Sequence, residues 1–108
     1  MRTYIDSNNW RIFILDGAET DDTSAYFEKA SAYIRKLSNV NIIKYSPAFW
    51  DSGILKFEMD NIYMELYWTD FPCGTYLRVN SELSEAKIDK VTKWCEDICR
   101  ILEERETK

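Results

Sequence analysis

The chain has 108 residues, 45% of them apolar and 31% charged, the usual size of one domain with enough apolar material for one core. Fourteen basic and 19 acidic side chains give a net charge of −5; duplex nucleic acid and anionic membranes repel such a surface, and no basic stripe offsets the repulsion. Histidine is absent, which removes the commonest general base near neutral pH and the commonest transition-metal ligand.

The opening Met1-Arg2-Thr3-Tyr4-Ile5-Asp6-Ser7-Asn8-Asn9 is too polar for a secretory signal. The longest apolar runs, such as Ile12-Phe13-Ile14-Leu15, are far too short to span a bilayer. Three cysteines, an odd number at unremarkable spacing, do not form a disulfide framework, so the sequence predicts a reduced, cytoplasmic protein.

Trp10 to Leu15 is aromatic and β-branched and stops at Asp16-Gly17, which predicts a short strand and a turn. Acids at Glu19, Asp21 and Asp22 then precede a helix, with Asp22 or Thr23 as its cap. Tyr26, Phe27, Ala30, Tyr33, Ile34 and Leu37 recur at three- and four-residue steps and mark one apolar stripe from about Ser24 to Leu37. From Val40 to Tyr45 the period is that of a strand, closed by Ser46-Pro47, and residues 48–53 read as a loop holding Phe49 and Trp50. Ile54 to Met59 and Ile62 to Thr69 flank Asp60-Asn61 as a hairpin. Residues 70–74 form a second turn, Thr75 to Val79 a further strand, and residues 84–104 a long helix capped by Ser81 or Ser84. Ile88, Val91, Cys95, Ile98 and Leu102 make that helix's buried seam. The predicted order is β-α-β-β-β-β-α, an α+β domain with an antiparallel meander of four to five strands and two helices on one face.

Alternation separates the faces of the meander. Leu55, Phe57, Met59, Ile62, Met64, Leu66, Trp68, Leu77 and Val79 point to the helices, while Lys56, Glu58, Tyr63, Glu65, Tyr67, Tyr76 and Arg78 point away. The second set supports two readings: an ordinary solvated face of cross-strand pairs, or an interface rich in Tyr and Arg. Acids cluster in two places. Residues 16–28 hold five with no Lys or Arg, and residues 46–70 hold Asp51, Glu58, Asp60, Glu65 and Asp70 against Lys56 alone. Dipole compensation and solvated turns account for such clusters, as does a surface that masks a cationic site.

Catalytic chemistry is sparse. Gly17, Gly53 and Gly74 stand apart, so no phosphate loop is present. Cys95 and Cys99 are four apart on one helix, but a zinc site needs two further ligands, and Cys95 falls in the apolar seam. No metal or cofactor is expected. Glu58 and Glu65, on neighbouring strands, are the best candidate for acid–base work, yet carboxylates on an exposed sheet lack the burial that shifts a pKa into a catalytic range.

In size, acidity, α+β pattern and aromatics set among acids, as in Phe49-Trp50-Asp51 and in Tyr63-Met64-Glu65-Leu66-Tyr67-Trp68-Thr69-Asp70, the whole chain resembles the small immunity proteins of bacterial toxin–immunity systems, including those of contact-dependent inhibition. The resemblance implies a cytoplasmic inhibitor that masks the active site of a cognate toxin domain, often a nuclease. Under that reading the partner-binding residues are Trp50, Asp51, Glu58, Asp60, Tyr63, Glu65, Tyr67, Asp70 and Phe71. Acids speed the encounter with a basic partner, and desolvated aromatics set the dissociation rate. The chain itself is expected as a monomer or weak homodimer. The competing reading is a self-associating structural or regulatory module that pairs through its tyrosine face or an open edge strand.

Overall fold

A computed structural model describes residues 2–16, 23–70 and 73–106. In chain order the elements are β1 (Arg2–Ile5), β2 (Trp10–Asp16), α1 (Thr23–Arg35), β3 (Val40–Phe49), β4 (Ser52–Met59), β5 (Ile62–Asp70), β6 (Cys73–Asn80) and α2 (Glu85–Glu106). All six strands join one antiparallel sheet in the order β1-β2-β6-β5-β4-β3. The domain is α+β with both helices packed on the sheet, α1 across β3 to β6 and α2 against β2.

All nine residues assigned to the helix-facing side of the meander are buried. They meet Phe27, Ala30 and Ile34 of α1 and Val91, Cys95, Ile98 and Leu102 of α2 in one core. Trp94 widens the α2 seam, its ring tilted against Phe57 at 5.8 Å. Burial also pushes the Cys95 thiol well up from its ordinary range. Ser84 caps α2, with its Oγ accepting the Lys87 amide at 3.3 Å; Asp22, the alternative to Thr23 at the start of α1, lies outside the described residues. The Asp60-Asn61 hairpin closes with φ of 54° and 63° at the two turn residues, as a type I′ turn requires.

Two elements differ from the sequence expectation. A sixth strand, β1, precedes the first predicted one and forms a sheet edge on β2. Its turn is built by Asp6, whose Oδ1 accepts the amides of Asn8 and Trp10, both at 2.9 Å, while Asn9 takes a φ of 63°. The expected loop over residues 48–53 is instead a tight hairpin, because β3 continues through Pro47 to Phe49 and only Trp50-Asp51 turns. Pro47 is tolerated there because β3 is the other sheet edge, and a register shift between Ser46 and Phe49 absorbs the interruption.

Candidate functional site

The face turned away from the helices is not the solvated surface that alternation alone suggests. Glu65 of β5 is 5% exposed, and Ile12 and Tyr76 beside it are also buried. Arg78 is cross-strand from both Ile12 and Glu65. Its Nε and Nη2 approach Glu65 Oε1 at 2.6 and 2.5 Å. The other carboxylate oxygen accepts the Tyr63 hydroxyl at 2.5 Å, so both oxygens of Glu65 are engaged. The Arg78 guanidinium lies 4.7 Å from the Trp10 ring and 5.1 Å from that of Tyr67, and Tyr67 stacks on Tyr76 at 5.2 Å.

This is one connected network of aromatic rings around an ion pair. Burial, reinforced by the hydrogen bond to Glu65, pushes the Tyr63 hydroxyl up to about 12 from 10.0. Burial also pushes Tyr67 up to about 12, and the next contribution comes from Tyr4 on β1. Tyr4 reaches Tyr67 electrostatically although β2 and β6 lie between their strands.

At one end of the sheet the β3–β4 hairpin presents the most exposed apolar side chains of the described residues. Phe49 is 72% and Trp50 84% exposed, and their rings meet edge-on at 5.8 Å. Trp50 holds a φ of 59°, a conformation that costs a bulky L-residue about 1–2 kcal/mol. The base of the hairpin is fixed from α1: Glu28 accepts the Ala48 amide at 3.2 Å and the Tyr45 hydroxyl at 2.8 Å. Burial, followed by this bond, raises the Tyr45 pKa, and Arg35 lies 4.0 Å over the Tyr45 ring. The turn is tied to β5 by the Asp70 amide, which donates to the Asp51 carbonyl at 3.0 Å.

Between this tip and Arg78 runs an open groove of about 470 Å³, lined by Pro47, Phe49, Ile54, Tyr67, Thr69 and Arg78 among others. It connects the two features described above.

The nine residues named from the sequence therefore fall into separate places. Trp50, Asp51 and Asp70 come together at the tip, all three exposed, and Tyr67 faces the adjoining groove. Tyr63 and Glu65 belong to the ring-and-ion network, with Glu58 cross-strand from Tyr63. Glu65 is thus neither an exposed acid nor half of an exposed pair with Glu58: its charge is buried and matched by Arg78. Asp60 sits at the opposite end of β4, where it pairs with Lys90 of α2 at 2.8 Å and is separated from the tip by the length of the strand. Phe71, like Glu19, Asp21 and Asp22, lies outside the described residues.

The partner-binding set read from the sequence leaves out Trp10, Phe49, Arg78 and Glu28. Alternation places Arg78 on the right face, but nothing in its spacing announces that Glu65 opposite it is buried. Among the described residues no three His, Cys, Asp or Glu side chains group to hold a metal ion, and no helix is long and apolar enough to cross a membrane. The chain matches no known family, no curated protein and no solved structure.

Proposed function

We propose that this chain works by binding another protein, with the Phe49–Trp50 tip as its anchor. One observation carries the reading: the bulkiest side chain in the sequence repertoire is 84% exposed on a backbone conformation that disfavours it. Folding gains nothing from that arrangement, whereas an interface does. Tryptophan is the residue most enriched among binding hot spots, and strained backbone concentrates where function requires it. The fixing of the hairpin base by Glu28 reduces the ordering cost of binding.

The finer reading is a stoichiometric inhibitor of the immunity-protein kind, cytoplasmic and non-catalytic, whose partner is a basic toxin domain. The net charge of −5, with Asp51 and Asp70 exposed beside the anchor, favours encounter with such a surface. A non-catalytic role accords with Glu65, whose two oxygens are already taken. Strand addition by a second copy, the self-associating alternative, is opposed at the β3 edge by two register shifts and Pro47.

The test is co-purification with the product of the neighbouring gene, followed by titration. A 1:1 complex is expected, weakened by salt, with the Trp50→Ala/Asp51→Ala variant losing on the order of 30-fold or more in affinity. Full affinity in that variant would remove the tip from the interface.

A further inference from the structure

We propose that the groove between the tip and Arg78 receives an apolar side chain of the partner protein together with the peptide carbonyl next to it. This rests on the protein-binding reading above and specifies what the partner brings. The groove's volume, about 470 Å³, is that of sites that enclose a small ligand or one large side chain with its flanking backbone. Pro47, Phe49 and Ile54 give it apolar walls. Phe49 is shared with the tip, so a partner that accepts Trp50 brings its own chain to the mouth of the groove.

Arg78 selects the polar group. A guanidinium has five N–H donors in a fixed fork. Nε and Nη2 are directed to Glu65 Oε1, and the other contacts of the group are the faces of the Trp10 and Tyr67 rings. These contacts leave N–H groups of the fork with donors to give, and Arg78 lines the groove. Its positive charge, however, is already matched by Glu65, so a second carboxylate would be brought next to a buried negative charge. A neutral carbonyl takes the donors without adding charge. Every peptide unit of a partner offers one, and the apolar walls then favour a residue with a large apolar side chain beside it.

The experiment is an NMR titration of the full chain, following backbone amide resonances, with three probes that share a phenyl group: N-acetyl-phenylalanine methylamide, N-acetyl-phenylalanine and phenethyl alcohol. The capped amide is expected to give saturable shifts at Ile54, Tyr67 and Thr69. The alcohol, which lacks the carbonyl, should bind about fivefold more weakly, as for one lost hydrogen bond, and the free acid, which sets a carboxylate near Glu65, should bind no tighter than the capped amide. Ser52→Trp, placed at the exposed groove wall, should abolish the shifts while leaving the urea midpoint unchanged. No saturable shift, shifts that survive Ser52→Trp, or tighter binding of the free acid would each overturn the proposal. Trp50→Ala separates the two claims: it should leave the capped-amide titration intact while impairing capture of the partner. A silent groove with partner binding still dependent on Trp50 would leave the tip as the anchor and remove the groove alone.

Discussion

A β-carbon built on Gly53 would lie 2.9 Å from Cε2 of Phe27, with the Ala48 backbone equally close. The hairpin base is therefore wedged between helix and edge strand, and only glycine fits. Gly53→Ala should destabilise the fold by about 1–3 kcal/mol, the usual range for overpacking, because Phe27 is fully buried and the Ala48 amide is held by Glu28. Urea unfolding checks this. An unchanged midpoint would mean that the hairpin base shifts freely.

The left-handed backbone at Trp50 separates stability from binding. Glycine adopts a φ near 59° without strain, whereas alanine retains the β-carbon. Trp50→Gly should accordingly be more stable than Trp50→Ala by about 1 kcal/mol, although both lose the anchor. Paired denaturation curves decide the first point, and partner titration the second.

Removing Arg78 would leave the Glu65 carboxylate buried without its counter-ion. Arg78→Met should cost about 3 kcal/mol, and the double variant Arg78→Met/Glu65→Met should recover most of it, since replacing both members of a buried pair is far cheaper than orphaning one. Additive losses in the double-mutant cycle would show that the two residues are not coupled.

Alkaline titration tests the tyrosines of the same network. Tyr63 and Tyr67 are held at about 12, above the ordinary 10.0, so the unfolded chain gives up their protons first. Their contribution to stability is complete below pH 10 and is lost as the pH climbs toward 12. Tyrosinate absorbance and urea midpoints across that range should move together. Tyr63→Phe should cost about 1 kcal/mol at neutral pH, where Glu65 loses a donor, yet make the alkaline decline shallower.

How far the sequence was legible depends on which force decided each feature. The helix-facing residues from Leu55 to Val79 follow from strict alternation, and all of them are buried, because burial on one face is what that pattern encodes. The strand β1 escaped notice because four residues carry too little pattern, even though the Asp6-Ser7-Asn8-Asn9 turn was there to be read. Pro47 suggested a loop because its place at a sheet edge depends on strand order, which alternation does not reveal. For the candidate site, Trp50 and Asp51 stood out in the sequence as an aromatic–acid pair. The burial of Glu65 did not, since the Arg78 that pairs with it and the rings of Trp10, Tyr67 and Tyr76 around that arginine come from three different strands.

The pairing of β2 with β6 joins Trp10 to Asn80 and Phe13 to Leu77, positions far apart in the chain, whereas β3 to β6 connect through consecutive hairpins. Loop closure makes the distant pairing the slow event and the meander the early one. The Phe49–Trp50 tip and the Tyr63–Glu65–Arg78 contacts belong wholly to the early part, while Trp10 joins them only when β2 docks. On loop length alone the anchor is expected to take shape before β2 docks and lays Trp10 against the arginine, and pulse-labelled amide exchange that protected β2 as early as β5 would refute that order.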